Sequence, residues 1–181
     1  MSEIKSTLDL VMEKTRHLTL SQEEKKAQKQ IEVKKRLQGL LQRYQDNLLK
    51  KENLKKELDN LKVAYDLDVD EILADLLINS LKLERDNNVF LELLNEMFAL
   101  NLSGLETILR NFKDAVKSAT TKRVGQIKAN LSKNRFISGS AVVPNLKNDR
   151  EWMSMLGHIM DEFDQILNKE KAALTKKLSL G

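Results

Sequence analysis

An all-α fold is what this sequence predicts, on three observations. The 181 residues contain one Pro and six Gly, so little in them interrupts a helix. Charged residues make up 32% and hydrophobic residues 41%, too charged for a compact α/β enzyme and too apolar for disorder. Apolar positions step by three and four along most of the chain, as on one face of a helix. The architecture expected is an elongated helical bundle with one long coiled-coil-like helix and a short irregular or hairpin insert near 133–147. Three parts are expected: a short amphipathic helix in 1–20, the long helix in 21–66, and the bundle in 67–181.

In the first part Ile4, Leu8, Val11, Met12 and Thr15 share one stripe, and Leu20 stands where a hydrophobic staple to the next helix would sit. The long helix opens on Ser21 with Glu24 three residues later, a capping box. Leu37, Leu41, Tyr44 and Leu48 then form one heptad-like seam, and Leu54, Leu58, Leu61 and Tyr65 a second. Lys51 interrupts the stepping between them, which leaves open whether the helix runs on through that point. The second seam adjoins the bundle. The first has no evident mate in its own chain, which makes Leu37, Leu41, Tyr44 and Leu48 candidate protein contacts.

Asp68 with Glu71 reads as the next cap. The run from Asp66 resembles the start of a calcium loop only in part, because Glu71 and Leu77 hold the positions that need Gly and Glu. A helix is expected from about 69 to 85, buried through Ile72, Leu73, Leu76, Leu77 and Leu81. A second carries the chain's richest apolar stretch, Val89 to Phe98. Ser103 and Glu106 are expected to cap a helix over about 105–132, and Asn148 and Glu151 one over about 148–177. Residues 133–147 hold Pro144 and Gly139 among β-branched residues, so they cannot be helical throughout. A small hairpin of Phe136-Ile137 with Ala141-Val142-Val143 is one expectation. Phe136, Ile137, Val142, Val143 and Pro144 are the second set of candidate protein contacts.

Charge is uneven: residues 66–106 carry ten acidic and two basic side chains, and 107–150 ten basic and two acidic. Opposite charges could draw these segments together, or the basic one could face an outside partner. Its candidate face for nucleic acid is Arg110, Lys113, Lys117, Lys122, Arg123 and Lys128. Aromatic residues are only 4%, which leaves few platforms for stacked bases.

Signals for catalysis are missing. There is no cysteine, no Gly-rich phosphate loop and no base placed to activate Ser138 or Ser140. His158 with Asp161 and Glu162 lacks the acid-then-His spacing and the second copy of a di-metal bundle. No cofactor, metal or small-molecule substrate is therefore inferred. The first residues lack the basic head and apolar run of a signal peptide, and no stretch approaches 18 apolar residues, so a cytoplasmic location is expected. In its mix of long helices the chain resembles export chaperones and stalk or adaptor subunits, a likeness of architecture that no motif residue carries. The function expected is a non-enzymatic helical interaction, scaffold or adaptor protein, chaperone-like in kind, with a protein partner or another copy of itself. The alternative is a nucleic-acid binder using the basic 107–135 face.

Overall fold

A computed structural model describes residues 21–178, and over that span the protein is all-α. The described residues form six α-helices and no strand: α1 (Gln22–Gln45), α2 (Lys51–Ala64), α3 (Val69–Ser80), α4 (Asn88–Phe98), α5 (Ser103–Arg135) and α6 (Arg150–Leu178). One turn of 3₁₀ helix, Leu146–Asn148, precedes α6. The expected helix in 1–20 lies outside the described residues. Two compact units divide at Leu73/Ala74, inside α3 and a few residues beyond the boundary expected at 66/67.

The first unit corrects the single long helix. The chain turns back after Gln45, and α1 packs against α2 as a helical hairpin. Ser21 caps α1 as expected: its hydroxyl accepts from the Glu24 N–H, and Glu24 accepts from the Ser21 N–H. The stop is local chemistry. Asn47 is left-handed (φ 57°), the Leu48 N–H donates to the Arg43 carbonyl at 2.8 Å, and the Asn47 N–H donates to that of Tyr44 at 3.1 Å. Those two bonds are a Schellman ending, and Asn is the residue other than Gly that tolerates its left-handed position. Gln42 ties the same corner by donating to Asp46.

Val33, Leu37, Leu41 and Leu49 are buried, as are Leu54, Leu58 and Leu61. The antiparallel register is fixed at the open end by Tyr65, whose hydroxyl donates to Glu32 at 2.6 Å while Arg36 lies 5.6 Å from its ring centroid. That hydrogen bond, ahead of any other cause, lowers the Glu32 carboxyl below its ordinary range and raises the Tyr65 phenol above its own. The first seam thus has its mate in this chain.

In the second unit a core of leucines joins α3, α4, the start of α5 and the end of α6. Leu77, Ile78, Leu81, Leu94 and Leu105 are fully buried, with Leu167 and Leu174 of α6 close to it. Asp68 caps α3 as expected, accepting from the Glu71 N–H at 2.9 Å. α3 ends at Ser80, short of the expected 85, because Asn87 organises a turn over 81–87. Its side-chain oxygen accepts from the Lys82 N–H, and its amide donates to the Lys82 and Arg85 carbonyls. A polar side chain buried to this degree needs every such partner. Lys171 on α6 closes the same corner, its ammonium donating to the Leu81 carbonyl at 2.5 Å; burial pushes its pKa down, Asp164 opposing and Lys82 adding to the fall.

Two caps differ from expectation. α5 begins at Ser103 itself with Leu102 at the cap position, which offers no capping side chain, and Asn101 just ahead of it accepts from both the Ser103 N–H and hydroxyl. α6 begins at Arg150, and Asp149 rather than Asn148 accepts from the Trp152 N–H at 2.6 Å.

α5 and α6 pair antiparallel as the long hairpin of this unit, about 50 and 44 Å from their 33 and 29 residues. Phe112 and Phe163 meet edge to face at 5.7 Å. At the base, the Glu170 carboxylate lies so close to Gly104 that a methyl group there would make the end of that flexible side chain move aside. An anion there suits the positive end of the helix.

Candidate functional site

The described residues converge on one candidate site, the tip of the α5–α6 hairpin. α5 ends at Arg135 with Phe136 in the left-handed region, φ 55°, where both the Phe136 and Ile137 N–H groups reach the Leu131 carbonyl. Gly usually fills such a position, and a bulky residue there is uncommon and strained. The chain then makes a turn at Gly139 (φ 125°), whose carbonyl accepts from the Val142 N–H, and runs irregularly to the 3₁₀ turn. The insert is irregular; the hairpin expected as one alternative does not form, because no strand pairing links its arms.

Arg123 and Asp149 hold the tip in place. The Arg123 guanidinium donates from Nε and Nη2 to both Asp149 carboxylate oxygens at 3.0 and 2.8 Å and from Nη1 to Glu151. Side chains of Arg123 and Asp149 are only 15% and 17% exposed, so this fork is sheltered from water. Asp149 also caps α6, so one carboxylate joins α5 to the first turn of α6. Arg123 holds the Asp149 carboxyl below the usual carboxylate range, with the Trp152 N–H adding to the effect. A group lowered on folding adds stability above its unfolded value, and that contribution vanishes as pH falls through the folded value. Trp152, the only tryptophan, is buried beside this cap. Its emission is therefore expected to shift red as wild type is taken below roughly pH 4. Asp149→Asn should be shifted already at neutral pH, with a flatter acid limb. Superimposable pH curves for the two proteins would show that Asp149 does not hold the tip.

The sequence candidates separate on this geometry. Phe136 is 91% exposed, Val143 85% and Ile137 47%, whereas Val142 and Pro144 are half-buried. Leu37 and Leu41 are spent inside the α1–α2 hairpin, Tyr44 is half-buried, and only Leu48 faces solvent. As protein contacts Leu37 and Leu41 are thus withdrawn.

Among the basic candidates, Arg110, Lys113 and Lys117 are exposed and Lys128 is half-buried. With Arg135 they fall within roughly 60° on a helical wheel, and Lys122 lies off that stripe. Arg123 is engaged by carboxylates and leaves the set. His158, Asp161 and Glu162 are exposed, and no group of three or more metal-ligating side chains is assembled among the described residues. No helix among them is long and apolar enough to cross a membrane.

Two features of the tip escape sequence reasoning. The fork from Arg123 to Asp149 joins residues 26 apart, and nothing in their local spacing marks them as partners. The left-handed Phe136 is equally hidden, since a Phe does not advertise a helix stop. Comparisons with protein-family models, with curated proteins and with solved structures found no match.

Proposed function

We propose that this protein is a non-enzymatic helical scaffold or adaptor, chaperone-like in kind and cytoplasmic, whose working surface is the α5–α6 tip. The observation that carries the reading is Phe136: a large apolar side chain, almost wholly exposed, at a backbone position that suits Gly. Local stability does not explain a Phe there, and contact with something outside the chain does. The sheltered fork of Arg123 and Asp149 supports the same reading, because a contact surface binds better when it is held in one conformation beforehand.

The test is site-specific photocrosslinking in the native cell, with a benzophenone side chain at position 136 and, as a control, at the exposed position 158 on α6. The expected result is an adduct, to protein or to lipid, from position 136 alone. Equal labelling from both positions, or none from 136, would remove the tip as the working surface.

A second reading keeps one specific observation. Arg110, Lys113 and Lys117 are exposed on one flank of α5, with no carboxylate partner among the described residues. Such a stripe suits a phosphate backbone, and retention of DNA or RNA that falls steeply with salt would favour it.

A further inference from the structure

We infer that the surface the tip docks on is an anionic lipid bilayer, which rests on the reading of the tip as the working surface and names what it meets. Residues 128–148 contain Lys128, Lys133, Arg135 and Lys147 and not one Asp or Glu. None of the four has a carboxylate partner among the described residues, whereas Arg123, just before them, is neutralised by Asp149 and Glu151. Lys133 and Arg135 also suit the negative end of α5, but that accounts for neither Lys128 nor Lys147. Among these cations stand Phe136, Ile137 and Val143, exposed at the end of a hairpin.

A bilayer interface offers what both sets need, anionic headgroups for the cations and an acyl boundary for the apolar side chains. Nucleic acid accounts for the charge but not for Ile137 and Val143, which have no π face to stack on a base. An acidic protein groove fits less well, because hot spots of protein interfaces cluster in one packed patch. Here Phe136 and Val143 are separated by the Gly139 turn, with Val142 and Pro144 folded inward between and beside them. Separate apolar prongs suit a medium that moulds around each. A basic residue close to an anionic leaflet strengthens partitioning about fivefold. Four of them raise it by several hundredfold, and the apolar prongs supply the second anchor that stable attachment requires.

The experiment is co-sedimentation of the full chain with vesicles of 70% phosphatidylcholine and 30% phosphatidylserine in low salt. Binding is expected to these vesicles and not to pure phosphatidylcholine, and to fall at high salt. Lys133→Glu with Arg135→Glu should weaken it more than 25-fold, and Phe136→Ser with Val143→Ser more than tenfold, with circular dichroism unchanged. The chain has no cysteine, so Phe136→Cys offers a single site for an environment-sensitive dye. Its emission should brighten and move blue on the anionic vesicles. No pelleting with anionic vesicles at low salt would overturn the inference. So would equal binding by the serine variant, a silent dye at 136, or binding to poly-glutamate or single-stranded DNA in place of vesicles. Protein adducts from position 136 with no vesicle binding would sink the bilayer and keep the tip. No adducts at all would remove the tip itself.

Discussion

Leu37→Asp is expected to melt the α1–α2 hairpin, whereas Leu48→Asp, eleven residues along the same seam, is expected to leave it folded. Leu37 has no exposed surface and Leu48 is 73% exposed. Truncating a buried Leu to Ala already costs about 2–5 kcal/mol. An Asp at that site also leaves a carboxylate without water or a partner, or forces it to take up a proton. The total exceeds the roughly 4–5 kcal/mol above which a single substitution is exceptional, and it rivals the stability of a whole small domain. At Leu48 a carboxylate stays in water in the turn after α1, so the change should fall within about 0.5 kcal/mol. Helicity by circular dichroism and urea unfolding separate the two. Equal loss from both variants would mean that Leu48 is buried, as it would be in a seam between two copies. No loss from Leu37→Asp would mean that the hairpin does not form.

The same pair of residues shows what the sequence discloses and what it hides. Stepping by three and four marks Leu37, Leu41, Leu54, Leu58 and Leu61 as one side of helices, and all five are buried. Periodicity cannot say whether two successive seams continue one helix or face each other across a turn. Both give the same stripe. The deciding residue is Asn47, whose left-handed backbone ends α1, and the interruption at Lys51 belongs to the start of the next helix. A gap of six between Leu48 and Leu54 was therefore a turn signal as much as a shift in phase.

Caps divide in the same way. Ser21 and Asp68 cap the helices the sequence assigns to them, each accepting from the N–H of the glutamate three residues on. Before α5 and α6 several polar residues compete. Ser103 becomes the first helical residue, held by Asn101 ahead of the cap position, and Asp149 acts in place of Asn148, each through a contact that depends on where the tertiary fold starts the helix. At the tip, the composition of 133–147 picks out the right segment. It could not sort exposed Phe136 and Val143 from half-buried Val142 and Pro144, since all four are apolar and only the path of the loop separates them.

Phe112→Ala is the second substitution expected to have a large effect, and it bears on how the tip is supported. Phe112 is buried on α5 and meets Phe163 of α6 edge to face, between the leucine core at the base and the Arg123 fork. Emptying a buried Phe site costs about 3–5 kcal/mol. Phe163→Ala should cost less, because Phe163 is only half-buried. In a double-mutant cycle the pair should couple by about 0.5–1.5 kcal/mol, the worth of an edge-to-face contact beyond its area. Urea unfolding of the four proteins measures this, and additive losses would show that the rings do not act as a pair. Pairs such as this one and the Arg123–Asp149 fork join α5 to α6 along the span toward the tip. Loss of either should loosen the tip before the base: Trp152, at the start of α6, should gain exposure to a quencher in Phe112→Ala at urea concentrations where most helicity remains. A quenching curve that tracks helicity would mean that base and tip unfold as one.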